Sequence, residues 1–147
     1  MELHGEGAEH MLYIELELQG EVPMHEQIAQ QIIAGIASGT IQPGKTLPSA
    51  RKLALALRVK SQVVNKAYHT LLTEGFLQER YDGRLGVLVP SLAEMPRVTE
   101  GYMNRLQKQL QSLAAEGRAR GMTEAEFSRA CIKIYRSDLT RMGDALE

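Results

Sequence analysis

The chain has 147 residues, a formal net charge of −1 and 44% hydrophobic residues, which is typical of one globular domain or a small domain with a helical appendage. The single cysteine, Cys131, excludes an internal disulfide. No apolar run approaches the roughly 20 residues that span a bilayer, and the acidic N-terminus does not resemble a signal peptide, so we expect a cytoplasmic protein with no membrane partner.

The first residues predict a mobile end followed by a strand. Residues 1–10 are rich in Gly, Glu and His and are expected to be mobile. Because His4 and His10 have neither helical spacing nor a third ligand nearby, we expect no metal site. In residues 12–18, Leu12, Ile14, Leu16 and Leu18 alternate with Tyr13, Glu15 and Glu17. Strict alternation predicts a half-buried strand.

Residues 24–38 predict the first helix, because Ile28, Ile32, Ile33 and Ile36 recur at helical spacing. Gly39 suits the C-cap position of that helix. Residues 40–46 then form a Pro-Gly turn. Three glutamines lie off the apolar stripe and are interpreted as solvated helix surface rather than as base contacts: Gln27, Gln30 and Gln31.

Residues 47–76 predict two helices separated by a tight break at Arg58-Val59. Ser49 is placed to cap the first of them through its hydroxyl. The inward faces are apolar at helical spacing, with Leu53, Ala54 and Leu57 in the first helix and Val64, Ala67, Leu71 and Leu72 in the second. A short helix, a sharp turn and a longer helix ending at Glu74-Gly75 form a helix-turn-helix.

The outer surface of these helices is basic and rich in amides. Residues 27–73 contain six Lys or Arg and no Asp or Glu. The residues outside the apolar face of the second helix are Ser61, Gln62, Asn65, Lys66 and His69. A solvated helix face is the alternative interpretation, but the lack of acids and the amide pattern together indicate contact with DNA.

Two strands are predicted next, at residues 76–80 and 87–89, with the turn over residues 81–86. A β-hairpin directly after a helix-turn-helix is a wing. Arg84 lies at its tip, where it is placed to reach a phosphate or the minor groove. A solvated hairpin tip is the alternative for Arg84.

The region after residue 90 predicts two amphipathic helices. The first covers residues 99–116 and stops at Gly117, and a capping box of Thr123 and Glu126 starts the second. Joined by a short loop, the two helices make an antiparallel hairpin that buries little by itself, so we expect its apolar faces to pack against a second copy of the chain. These faces carry Tyr102, Leu106, Leu110, Leu113, Phe127, Cys131, Ile134 and Tyr135.

The predicted fold is therefore mainly α with a small β wing. A mobile N-terminus at residues 1–10 precedes a winged helix-turn-helix domain at 11–90. A helical tail at 91–147, used for dimerisation or for an effector, completes the chain.

The middle of the chain resembles the DNA-binding domain of the GntR family of bacterial transcriptional regulators. The resemblance covers residues 13–89, and the short two-helix tail is similar to the YtrA-like subgroup, in which this part is a small dimerisation element rather than a large ligand domain. The matching segments, in order and spacing, are Pro23-Met-His-Glu-Gln-Ile28, Ile36-Ala-Ser-Gly39, Pro43-Gly44, Leu47-Pro48-Ser49-Ala50-Arg51-Lys52-Leu53-Ala54, Val64, Ala67-Tyr68, Leu71 and Glu74-Gly75.

The resemblance also implies roles for single residues. Arg51 matches the arginine that contacts DNA from the second helix of the domain, and residues 83–86 match the wing turn. Lys60 and its neighbours fall where the recognition helix meets bases and phosphates. Together with the residues on the outer surface of the two helices, these positions give the full set of expected DNA contacts. The set is Ser49, Arg51, Lys52, Lys60, Ser61, Gln62, Asn65, Lys66, His69, Gly83 and Arg84.

Some positions depart from the family pattern. Lys60 stands where a small polar capping residue is usual, and since lysine cannot accept an amide hydrogen bond, we expect Ser61 to cap the helix instead. Val63 replaces a threonine and offers no hydrogen bond to a phosphate. The wing has Arg84-Leu85-Gly86 where the family usually has Gly-x-Gly. The operator preference is therefore expected to differ from that of the family.

The expected function is sequence-specific regulation of transcription, with repression favoured over activation. One recognition helix reads too few base pairs, so we expect a homodimer on an inverted-repeat operator in double-stranded DNA. We find no phosphate loop, nucleophile elbow or paired metal ligands, and we expect neither an enzyme nor a cofactor. The rival class is a winged helix that docks an acidic protein partner.

An unidentified small-molecule effector is the remaining candidate partner. Two short helices enclose little volume for it unless the dimer creates a pocket.

Overall fold

A computed structural model of the chain describes residues 12, 14–80 and 86–137. The chain divides into two compact units, Met1–Pro96 and Arg97–Glu147. No helix within the described residues is long and apolar enough to cross a membrane. The elements in order are α1 Met24–Ser38, β1 Thr46–Leu47, α2 Ala50–Leu57, α3 Ser61–Glu74, β2 Gln78–Glu79, β3 Val87–Leu88, a short 3-10 turn Leu92–Glu94, α4 Glu100–Ala119 and α5 Glu124–Arg136.

The core of the first unit is formed by α1 and α2 packing against α3. The apolar stripes meet there, and Ile28, Leu53 and Leu71 are each no more than 1% exposed. Tyr68 is also buried, and its hydroxyl donates a 2.7 Å hydrogen bond to the carbonyl oxygen of Pro48. That bond satisfies the buried hydroxyl and ties α3 to the segment before α2. The helices predicted from the apolar periodicity of residues 24–76 are thus confirmed.

A small antiparallel sheet has the strand order β1-β3-β2. Leu88 of the central strand pairs with Thr46 on one side and with Gln78 on the other. The sequence does not predict β1, because a two-residue strand is too short to show alternation and residues 40–46 look like a turn. The wing strands are present but shorter than predicted. The tip of the wing, residues 81–85, lies outside the described residues.

The N-terminal segment corrects two expectations. Leu12 is buried and Ile14 packs against the core, as alternation predicts, but Leu18 is 75% exposed and residues 14–18 form no strand. The backbone of this segment pairs with side chains of α1, since Gln27 and Gln31, four residues apart, face it with their amides.

Each glutamine amide forms two hydrogen bonds with the backbone of one residue of this segment. The Glu15 N–H donates to Gln31 Oε1 at 3.0 Å, and Gln31 Nε2 donates to the Glu15 carbonyl at 2.6 Å. Gln27 makes the same pair of bonds to Glu17, at 2.8 and 3.0 Å, and donates a third to the Val22 carbonyl. Gln27 and Gln31 are therefore not simply solvated. They bind the backbone of this segment to α1.

Replacing Gln27 by alanine is expected to lower the melting temperature by roughly 4 °C, because three hydrogen bonds at an exposed site stabilise by about 1 kcal/mol in total. Thermal unfolding followed by circular dichroism measures the change. Gln30→Ala is the matched control, since Gln30 lies on the exposed surface of the same helix. Equal melting of the two variants would show that the amide bonds add nothing to stability.

The second unit begins with α4, whose N-cap Thr99 accepts a hydrogen bond from the Tyr102 N–H at 3.1 Å. The expectation that Gly117 ends this helix is wrong, since α4 continues to Ala119 and the left-handed glycine of the turn is Gly121, with φ 86°. Packing explains why a glycine is kept within the helix. A Cβ at position 117 would lie only 3.3 Å from Met122 Sδ.

The predicted capping box at the start of α5 is confirmed. The Glu126 N–H donates to Thr123 Oγ1 at 3.2 Å, while the Thr123 N–H donates back to Glu126 Oε1 at 3.0 Å. The backbone and then the hydroxyl of Thr123 hold the pKa of the Glu126 carboxyl below its usual value. These bonds satisfy two N–H groups that the start of a helix leaves without a partner.

Candidate DNA interface

The start of α2 is capped as predicted. Ser49 Oγ accepts a 3.2 Å hydrogen bond from the Lys52 N–H, which fixes the first turn of the helix. Arg51 and Lys52 follow directly and are both exposed, while Leu53 and Ala54 face the core. The cap thus fixes where this short helix begins, and the burial of Leu53 and Ala54 leaves its two cations on the exposed side.

The turn between α2 and α3 is held from the inside. Arg58 ends α2 in the left-handed conformation, and its N–H donates to carbonyl oxygens of the preceding turn. The Val59 N–H donates to the Ala54 carbonyl at 3.0 Å, and the Val59 side chain packs against the core. The hydrogen bond from the Val59 N–H closes a tight reversal of the chain after α2. In helix caps of this kind the residue after the cap, here Val59, also supplies an apolar contact.

The N-terminus of α3 is not capped by a side chain. Lys60 occupies the N-cap position and gives no capping hydrogen bond, and Ser61 is the first residue of the helix itself. The expectation that Ser61 caps the helix is therefore wrong. An uncapped start with its positive dipole end offers backbone N–H groups to an anion such as a DNA phosphate.

The two faces of α3 are sharply different. Val64, Ala67, Tyr68 and Leu71 are buried, whereas the five residues predicted outside the apolar face are all exposed: Ser61, Gln62, Asn65, Lys66 and His69. Val63 is half-buried and packs against the core. Its apolar side chain therefore serves packing.

Nine of the predicted DNA contacts lie on α2, on α3 or at the N-caps of these helices. We call this set of residues the α2–α3 surface. It offers cations and amides with no acidic residue in α2 or in α3 before Glu74. Gly83 and Arg84, predicted for the wing, lie outside the described residues. The α2–α3 surface consists of Ser49, Arg51, Lys52, Lys60, Ser61, Gln62, Asn65, Lys66 and His69.

A polar contact that sequence patterns did not indicate ties the wing to the segment leading towards α4. Gln78 Nε2 donates to Glu94 Oε2 at 2.9 Å, and Ser91 Oγ donates to Glu94 Oε1 at 3.1 Å. First Gln78 and then Ser91 lower the pKa of the Glu94 carboxyl from its usual value. Residues 16 positions apart in the chain give no local signal of such a contact.

Most apolar side chains of the helices α4 and α5 are exposed in the part of the chain that the structure describes. Neither helix has a buried residue. Of the eight predicted dimer contacts, Leu106 and Phe127 are half-buried. The exposed six include Tyr135, at 87%, and are Tyr102, Leu110, Leu113, Cys131, Ile134 and Tyr135.

A helix-turn-helix formed by α2 and α3, followed by a β2–β3 hairpin that joins β1 in a three-stranded antiparallel sheet, defines the winged-helix class of DNA-binding domains. In helix-turn-helix proteins the second helix of the motif is the one that reads the DNA. The profile of the family described as bacterial regulatory proteins, gntR family, matches residues 24–87. The chain is 32% identical over 126 residues to the HTH-type transcriptional repressor YtrA of Bacillus subtilis (strain 168), a match that covers 86% of this chain and 94% of that protein. The chain therefore belongs to the GntR family.

Solved structures agree with this assignment. YtrA from Sulfolobus acidocaldarius, a GntR-family transcription factor, is 36% identical and superposes with a TM-score of 0.57 over 69% of this chain and 97% of that one. A transcriptional antiterminator from Listeria monocytogenes EGD-e superposes with a TM-score of 0.76 over 88% of this chain and 93% of that one. At 19% identity it shows the fold alone. The predicted family and fold class are confirmed, and the chain is a GntR-family DNA-binding transcriptional regulator.

Proposed function

We propose that the protein represses transcription by binding an inverted-repeat operator as a homodimer. The observation that carries this proposal is the α2–α3 surface, where exposed cations and amides surround the uncapped start of α3 and no acid interrupts them. Phosphates attract the cations without regard to sequence, and amides read base edges. The relative in Bacillus subtilis is named a repressor, which favours repression over activation.

The residues of the α2–α3 surface divide into two roles. Arg51, Lys52, Lys60 and Lys66 contact phosphates and supply affinity that falls as salt rises. Gln62 and Asn65 lie in the first two turns of α3 and are able to pair bidentately with adenine in the major groove. The residues proposed to complete the interface are Ser49, Ser61 and His69 beside them, and Gly83 and Arg84 in the wing.

The helices after Pro96 are proposed to hold the dimer. A two-fold arrangement places two recognition helices on one face of the duplex, about 34 Å apart or a multiple of that. The exposed apolar side chains of α4 and α5 support this proposal, because they offer a second copy an apolar surface to cover. In this proposal residues 11–90 bind DNA and residues 91–147 form the dimer or receive an effector.

The protein is further proposed to work in the cytoplasm as a regulator without enzymatic activity. Its partners are then operator DNA, a second copy of the chain and an unidentified small-molecule effector.

The test is binding of the full-length protein to the DNA upstream of its own gene. We expect binding at least about 1,000-fold tighter than to a duplex with both half-sites scrambled, and a logarithm of affinity that falls linearly with the logarithm of salt concentration. Fluorescence anisotropy over a salt series measures both quantities. Salt-dependent binding without preference for the upstream DNA contradicts specific repression. Absence of DNA binding favours the acidic protein partner instead.

A further inference from the structure

The turn between α2 and α3 contains a backbone conformation that does not suit the residue occupying it. Arg58 has φ 58° and ψ 43°, and among the described residues it is the one non-glycine residue with positive φ. This left-handed region is strained for an L-residue, because its Cβ crowds the following carbonyl oxygen. Asparagine and aspartate relieve part of that strain through local hydrogen bonds, and arginine does not.

The other two helices of the first unit solve the same problem with glycine. Gly39 caps α1 with φ 83°, and Gly75 caps α3 with φ 89°. At all three ends the N–H of the cap residue donates a hydrogen bond back into the last turn of its helix. The left-handed conformation is therefore required by the helix end and not by the side chain of the cap residue. A glycine at position 58 would form the same turn with less strain.

No hydrogen bond or ion pair within the described residues compensates for an arginine at this position. Arg58 is exposed, and its side chain makes no hydrogen bond or ion pair with any described residue. Residues 27–73 contain no carboxylate that could pair with it. Val59 fixes the turn from the core side. A strained residue whose side chain has no polar partner among the described residues indicates a role towards another molecule.

We infer that Arg58 is a DNA phosphate contact, an addition to the α2–α3 surface that rests on the proposed DNA-binding function. Arg58 lies two residues before Lys60 on the same exposed turn, directly ahead of the uncapped start of α3. A guanidinium at this position binds phosphate bidentately, which a glycine cannot do. The domain gives up stability at the turn to gain a cation where the recognition helix meets the duplex.

The inference predicts opposite changes in stability and binding for one substitution. In the full-length protein, Arg58→Gly is expected to raise the melting temperature by about 2–4 °C. On a short fluorescein-labelled duplex of mixed sequence, it is expected to bind roughly tenfold more weakly. The slope of log affinity against log salt is expected to shrink by about 0.9 for each phosphate that the variant no longer neutralises. Arg58→Lys keeps the charge and is expected to retain the wild-type slope.

Two further variants separate the possible outcomes. Lys108→Gln removes one positive charge from the exposed surface of α4, and equal weakening by Lys108→Gln and Arg58→Gly would overturn the inference in favour of a net-charge effect. Arg58→Gly would also overturn it by melting below the wild type or by keeping the wild-type salt slope. Arg51→Ala tests the proposed function itself. If wild type and Arg51→Ala both fail to bind the duplex, the DNA-binding proposal fails, whereas weaker binding by Arg51→Ala alone leaves only the Arg58 assignment in error.

Discussion

Removal of residues 97–147 is expected to give a monomeric winged helix that binds the operator at least about 100-fold more weakly than the full chain. In the proposed dimer the second recognition helix would bind its half-site as an intramolecular event, and such linkage raises overall affinity by about 10²–10⁴ without any new contact. The truncated chain loses this added affinity, although it keeps every residue of the α2–α3 surface. Analytical ultracentrifugation and titration with the operator duplex measure the two effects.

The truncated chain is expected to fold, because the buried core lies entirely before the cut. The core cluster runs from Leu12 to Val89, and Met95 packs against it from the segment after the wing. Thermal unfolding of the truncated chain should therefore remain cooperative. A second sample, the full chain with Leu110→Glu and Leu113→Glu, places charges on an exposed apolar part of α4 without removing the tail. A dimer that survives in both samples would locate its main interface in the first unit.

Elements defined by local signals could be predicted from the sequence. Helix α1 matches its predicted bounds because its apolar spacing, its Gly39 cap and the Pro-Gly turn all act within a few residues. The Ser49 cap and the capping box at Thr123 are equally local, since each joins residues three positions apart. The exposed face of α3 follows from the same periodicity, because the positions left outside an apolar stripe are those that face solvent or a ligand.

The contacts that could not be predicted join distant residues. The amide of Gln31 reaches a backbone 16 residues away, and β1 becomes a strand only because β3 pairs with it. Glycine at 117 signals a helix end by propensity, but packing of Met122 against it prevails and the helix continues. The apolar periodicity places the break between two helices at Arg58. It does not predict the positive φ angle of this residue, because only a glycine would have signalled that conformation in the sequence.

Asn65→Ala and Arg51→Ala are expected to damage DNA binding in different ways. Asn65 lies on the exposed face of α3. Because its amide is proposed to read a base, its removal should eliminate about 1–3 kcal/mol of discrimination at one position of each half-site. Arg51 lies at the exposed start of α2 and is proposed to contact phosphate. Its removal should weaken binding to every duplex by a similar factor and lower the salt slope by about one for each protomer.

Selection of bound sequences from a randomised duplex library, followed by titration at several salt concentrations, separates the two effects. The Asn65→Ala library should lose preference at a symmetric pair of positions while keeping the wild-type salt slope. The Arg51→Ala library should keep the wild-type preference with lower affinity throughout. Thr73→Ala, exposed in the last turn of α3, controls for a polar truncation far from the uncapped start and should behave as wild type. Identical preferences and slopes in Asn65→Ala and Arg51→Ala would refute the division into base-reading and phosphate-binding residues, because a single electrostatic surface would then account for all of the binding.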